Sequence, residues 1–240
     1  MGGVVVGGIV EEILRTESCE NKRTNLVTAG ISARSVPGLL TCETQDLQSP
    51  EFMKTLASMS KDVYPASEIY GEYCTVHMQI DCPVDMAYEY IANVFSLEEW
   101  TASTRNFQYI GGGTYKGEDR LAKNTAIYMK VDAFPDSRCV DYLCAWDQGS
   151  ELWMRYHCRL LDARDVLGKP GCVLVWNNCK HAYYDRRSPA PEYVDVHRRR
   201  NDRPWVGDLW MHFYQGHLIE ARNLKAILEY RFAHAASGKK

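Results

Sequence analysis

Between Tyr70 and Asp81 apolar and polar side chains alternate. Cys74, Val76, Met78 and Ile80 fall on one face, and Tyr73, Thr75, His77 and Gln79 on the other. A period of two predicts a half-buried strand. Cys82-Pro83-Val84-Asp85 ends it, and the run from Met86 to Thr101 predicts two short helices that break near Val94 and Phe95. Ser96 is the expected cap of the second helix, with Glu99 completing a capping box. Six strand-like segments follow, at 106–110, 114–121, 125–133, 139–146, 151–162 and 171–184. Between them lie Gly111-Gly112-Gly113, Lys123-Asn124, Pro135-Asp136, Gln148-Gly149 and Gly168-Lys169-Pro170. Short strands joined by tight-turn residues predict an antiparallel meander. The lack of helical crossovers excludes a parallel α/β sheet.

Residues 205–232 carry the strongest helical pattern. Val206, Trp210, Phe213, His217, Ala221, Leu224 and Leu228 share one stripe, while Arg222, Asn223 and Lys225 fall largely outside its centre. The preceding stretch, 185–204, is polar, proline-containing and arginine-rich, and is expected to be a long loop, either a lid or a solvated excursion. Before Glu68 the pattern is weak. One helix is expected from Ser49-Pro50-Glu51 to about Ser60, with Ser49 as N-cap and Pro50 in the first turn. Residues 1–67 are therefore an expected extension without a core of its own, and 68–240 the main domain.

Composition narrows the function classes. The chain has 240 residues, 45% hydrophobic and 25% charged, with a net charge of −3. That balance argues against an electrostatic nucleic-acid binder, which needs a basic surface to neutralise phosphates. Nine cysteines are scattered without a CxxC pair. Reduced, buried thiols are expected, rather than a metal site. The N-terminal apolar run is too short for a membrane span and lacks the basic start of a signal peptide. The expected location is the cytoplasm.

The order of strand, two short helices, six strands and a long C-terminal helix resembles the START-like, or SRPBCC, superfamily. That superfamily includes birch-pollen-allergen-like proteins, lipid-transfer domains and polyketide aromatase/cyclases. The resemblance rests on Ile80-Asp81-Cys82-Pro83-Val84, the helix from Asp85 to Asn93, Leu97-Glu98-Glu99-Trp100 and the helix from Trp205 to Phe232. It implies an α+β helix-grip fold: a curved, seven-stranded antiparallel sheet around one long helix. Tyr88-Glu89-Tyr90-Ile91, Leu97-Glu98-Glu99-Trp100-Thr101 and the run from Glu220 to Glu229 are also similar to the scytonemin-pathway cyclase, although this chain holds only one such unit.

Within such a grip the sheet and helix should enclose an apolar pocket with a few polar groups. His217, at the middle of the apolar stripe, is the candidate acid–base residue. Glu220 and Tyr214 lie one helical turn away on either side, and Glu220 could orient the imidazole. A core histidine satisfied by a carbonyl or a tyrosine hydroxyl is the structural alternative. In the 151–162 strand, Leu152, Met154, Tyr156, Cys158 and Leu160 are expected inside, making Tyr156 a cavity hydroxyl, with Arg155 and His157 outside. Trp176 and Asn178 are expected inside in the last strand. Trp100 should border the mouth, and Trp210, Phe213, Met78 and Met154 complete the expected ligand-binding set. No GxSxG, HExxH, Walker A or dinucleotide fingerprint occurs.

Two functions remain open. One is a cyclase or dehydratase of specialised metabolism, acting on an aromatic or polyketide-like carbonyl compound by histidine acid–base chemistry without a cofactor or metal. The other is a non-catalytic carrier or sensor of a hydrophobic small molecule. Either takes a small-molecule partner, with no nucleic acid or membrane partner expected and a homodimer left open.

Overall fold

The computed structural model describes residues 32–60, 71–121, 125–146, 152–185 and 206–237. The expected lid loop and the boundary at 67/68 lie outside these residues. Helix α1 spans Pro50–Ser60, and the Ser49 hydroxyl accepts the Phe52 N–H at 3.1 Å, capping it. Strand β1 (Tyr73–Ile80) leads into helices α2 (Val84–Ile91) and α3 (Leu97–Trp100). The meander follows as β2 (Thr104–Gly111), β3 (Thr114–Asp119), β4 (Thr125–Phe134), β5 (Cys139–Trp146) and β6 (Met154–Asp162). A short helix α4 (Ala163–Leu167) precedes β7 (Cys172–Cys179), and α5 (Phe213–Ser237) closes the fold.

The sheet order is β1-β7-β6-β5-β4-β3-β2, with every pairing antiparallel. The chain enters at one edge, crosses to the other through α2 and α3, and then meanders back until β7 pairs with β1. This is the helix-grip architecture that the sequence resemblance implies. Gly111, Gly112 and Gly113 all adopt positive φ, so the glycine run is what permits the β2–β3 turn. Among the described residues, no helix is long and apolar enough to cross a membrane.

Several local expectations differ from the structure. Ser96 is helical and makes no side-chain cap; its hydroxyl accepts the Trp100 indole N–H at 3.3 Å. Glu99 instead accepts from the Tyr90 hydroxyl at 2.7 Å and pairs with buried Arg231 through two 3.0 Å contacts. A long-range ion pair has displaced the local box. The last strand stops at Cys179, and Ala182–Asp185 form a 3-10 turn. The C-terminal segment begins as a 3-10 turn over Val206–His212 and becomes α-helical at Phe213.

α5 is covered on two sides, which a single apolar stripe does not anticipate. Phe213, Ala221, Leu224 and Leu228 join the sheet's core, whereas Ile219 packs with Leu47, Phe52 and Leu56 of the N-terminal segment. Each of these buried Phe, Leu and Ile side chains contributes about 1.5–3 kcal/mol of gross transfer free energy. Asn223, expected off the stripe, is buried between the two layers. Its amide bonds both the N–H and C=O of Leu40 and the C=O of Trp100, at 3.0–3.2 Å. Ala33, Val36 and Leu39 of the same N-terminal segment join the main core.

The candidate ligand cavity

Between α5 and the concave face of the sheet lies a cavity of about 120 Å³. Sheet, helix pair and C-terminal helix each supply a wall. Trp176 on β7 and Tyr156 on β6 face inward because their strand parity opposes the exposed Arg155 and His157. Tyr142, Cys144 and Trp146 arrive on β5, and Ile127 and Met129 on β4. Trp100 stands edge-on to Trp176, with ring centroids 5.5 Å apart. Phe213, His217 and Glu220 project from α5.

His217 is buried, with its ring lying 4.3 Å from Trp176 and 5.5 Å from Tyr156 between centroids. Its Nδ1 is 3.2 Å from Glu220 Oε2, and its Nε2 is 3.4 Å from Asn178 Nδ2. A carboxylate oxygen only accepts, so Nδ1 is the donor in this contact, and in the neutral imidazole Nε2 keeps its lone pair. The Asn178 contact is long for a hydrogen bond, leaving that lone pair weakly engaged. Glu220 is itself fixed, because its Oε1 accepts the Ala102 N–H at 2.9 Å. Tyr156 stands 3.4 Å from the Tyr184 hydroxyl. Burial, and then the neighbouring phenol, push its pKa well above the ordinary tyrosine value, so it stays a hydroxyl donor.

Six of the residues singled out from sequence meet at this cavity: His217, Glu220, Tyr156, Trp100, Trp176 and Phe213. The others stand outside its lining. Asn178 sits behind His217, fully buried. Met154 is buried, with its sulfur 3.7 Å from the Tyr156 hydroxyl. Met78 and Tyr214 are half-buried against the core. Trp210 packs on Tyr184 and Phe213 and donates its indole N–H to the Gly71 carbonyl at 2.7 Å. It belongs to an aromatic end wall with Trp146, Trp153 and Tyr184.

Sequence reasoning missed Asp119. This buried carboxyl lines the cavity from the end of β3. Its oxygens accept from the Leu121 N–H at 3.0 Å and the Trp146 indole at 3.1 Å. Burial raises its pKa above the usual carboxylate range; the Ser103 hydroxyl and Leu121 N–H oppose that rise, and Glu220 adds to it. The signal was present in strand parity, since Gly117 and Asp119 alternate with exposed Lys116 and Glu118.

No protein-family model matches the chain, and no curated protein matches it. Solved structures do. A START superfamily protein from Mycobacterium smegmatis is 8% identical at a TM-score of 0.41, covering 69% of this chain and 99% of its own. The Zhui aromatase/cyclase from Streptomyces sp. R1128 is 14% identical at 0.42, covering 70% and 97%. The Aha1 dimer from Colwellia psychrerythraea is 14% identical at 0.41, covering 65% and 96%. The fold assignment rests on this chain's own strand order and helix placement. Together the strand order and the cavity define a helix-grip fold around an internal cavity.

Proposed function

We propose that the protein is a cavity enzyme of the cyclase or dehydratase type, which moves a proton on a small aromatic carbonyl compound. The observation that carries this reading is His217 at the cavity wall, with Nδ1 held 3.2 Å from Glu220 and the ring packed on Trp176. In this reading Nε2 takes a proton from carbon next to the carbonyl. Glu220 holds the tautomer and stabilises the imidazolium that forms. Tyr156, a protonated hydroxyl, donates to the carbonyl oxygen. The aromatic walls hold the substrate in one pose, which lowers the entropic part of the barrier. A cavity of about 120 Å³ suits one ring, since a cavity of about 150 Å³ takes benzene.

The test is α-proton exchange of acetophenone in deuterated water, followed by NMR. The protein should accelerate exchange, and His217→Gln should lose about 100- to 10,000-fold of that acceleration per folded molecule. Glutamine can hydrogen-bond but cannot exchange a proton near neutral pH. A His217→Gln protein with the wild-type rate would make the imidazole structural. Acetophenone bound in the cavity without any acceleration would favour the carrier reading instead.

A further inference from the structure

The cavity's charge is one-sided. Two carboxyl groups, Asp119 and Glu220, line it, and among the described residues no lysine or arginine does. Asp119 is held by the Leu121 N–H, the Trp146 indole and the Ser103 hydroxyl, and Glu220 by the Ala102 N–H and the His217 imidazole. Glu220 adds to the rise in the Asp119 pKa that burial causes. Buried carboxylates without a cationic partner are costly, and a cation between them relieves that cost.

The other walls suit the same kind of ligand. The faces and edges of Trp100, Trp176, Tyr156 and Phe213 surround the space, and aromatic faces attract desolvated cations. An oxyanion developing here would meet two carboxyls and no lysine or arginine among the described residues. One polar group also has no protein partner among the described residues: the indole N–H of Trp176, a residue 4% exposed that lines the cavity. It is a donor left over for an acceptor atom on the ligand.

We infer that the ligand is a small aromatic compound bearing a cationic nitrogen, a protonated amine or an iminium, which sits between Asp119 and Glu220 while an acceptor oxygen reaches the Trp176 indole. This rests on the proposed function and names the substrate class of that site, an amino-carbonyl compound rather than a plain ketone. The substrate's own positive charge would balance the carboxylates and the electron-rich oxygen that appears when the α-proton leaves.

The test is calorimetric binding of three probes of one shape to the full chain at pH 7: benzylamine, benzyl alcohol and benzoate. Benzylamine should bind at least about tenfold more tightly than the alcohol, and benzoate more weakly than either. Asp119→Asn and Glu220→Gln should each narrow the preference for the amine while leaving the alcohol's affinity within a few fold. The wild-type comparison alone decides the matter if either variant fails to fold. Equal or tighter binding of the alcohol or benzoate would overturn the inference and leave the proposed function standing. Failure of all three probes to bind would overturn both.

Discussion

Replacing Asn223 by alanine tests whether the N-terminal segment is part of the folded unit that carries the cavity. The amide makes three bonds, two to Leu40 and one to the Trp100 carbonyl. At a net value of about 1 kcal/mol each, their loss removes about 3 kcal/mol. Leu40 is half-buried, so water recovers part of its share; the contact at the Trp100 carbonyl is buried and recovers less. The expected destabilisation is about 2–4 kcal/mol, or roughly 5–12 °C in Tm for a chain of this size. Asn223→Asp should cost more than alanine. It keeps the acceptor for the Leu40 N–H but turns a carboxylate oxygen toward two carbonyls. Urea denaturation measures the free energy, and hydrogen exchange at the Leu40 amide reports the local contact. A loss below about 1 kcal/mol, with Leu40 protection unchanged, would refute the view that this amide ties the segment to α5 and α3.

Glu43 gives a pH prediction. Burial works against its charge, but the Arg105 guanidinium and the Thr41 hydroxyl outweigh it and hold the pKa down at about 2. Because the folded value lies below the ordinary one, the contribution is present above about pH 4.5 and is lost as pH falls toward 2. Urea midpoints at pH 6, 4 and 2.5 should therefore fall more steeply for the wild type than for Glu43→Gln; parallel curves would contradict it. At neutral pH that substitution should itself cost about 3–5 kcal/mol, because buried Arg105 loses its bidentate partner. Gly171→Ala should destabilise by more than about 1 kcal/mol, since φ is +102° and the new Cβ would stand 2.4 Å from the Ile80 carbonyl oxygen. Gly112→Ala, with positive φ but open space, should cost less, and thermal melts of the two variants check the order.

Much of the architecture is legible in the chain because its causes are local. Alternation in Cys74-Val76-Met78-Ile80 sets which face of β1 turns inward, and three consecutive glycines permit the tight turn at positive φ that joins β2 to β3. The same parity places Tyr156 and Trp176 inside and leaves Arg155 and His157 to solvent. The apolar setting of His217 is likewise visible, as is the i,i+3 spacing that brings Glu220 to its ring.

What only the tertiary structure decides depends on partners distant in sequence. Glu99 is a sound capping-box residue until Arg231, 132 positions away, claims it with a stronger, charge-assisted pair. Asn223 reads as a residue beside the apolar stripe because a helical wheel assumes one buried side; the N-terminal segment buries a second. Strand parity puts Asp119 on the buried face, but nothing local marks one acidic residue at the end of a polar strand as part of a cavity wall. Its role arises when the closing sheet sets it in the wall that Glu220 shares, where burial and like charge raise the cost of ionisation. Periodicity is a property of neighbours along the chain and survives in the sequence. The electrostatics of an enclosed cavity belong to groups that meet only once the sheet has wrapped the helix.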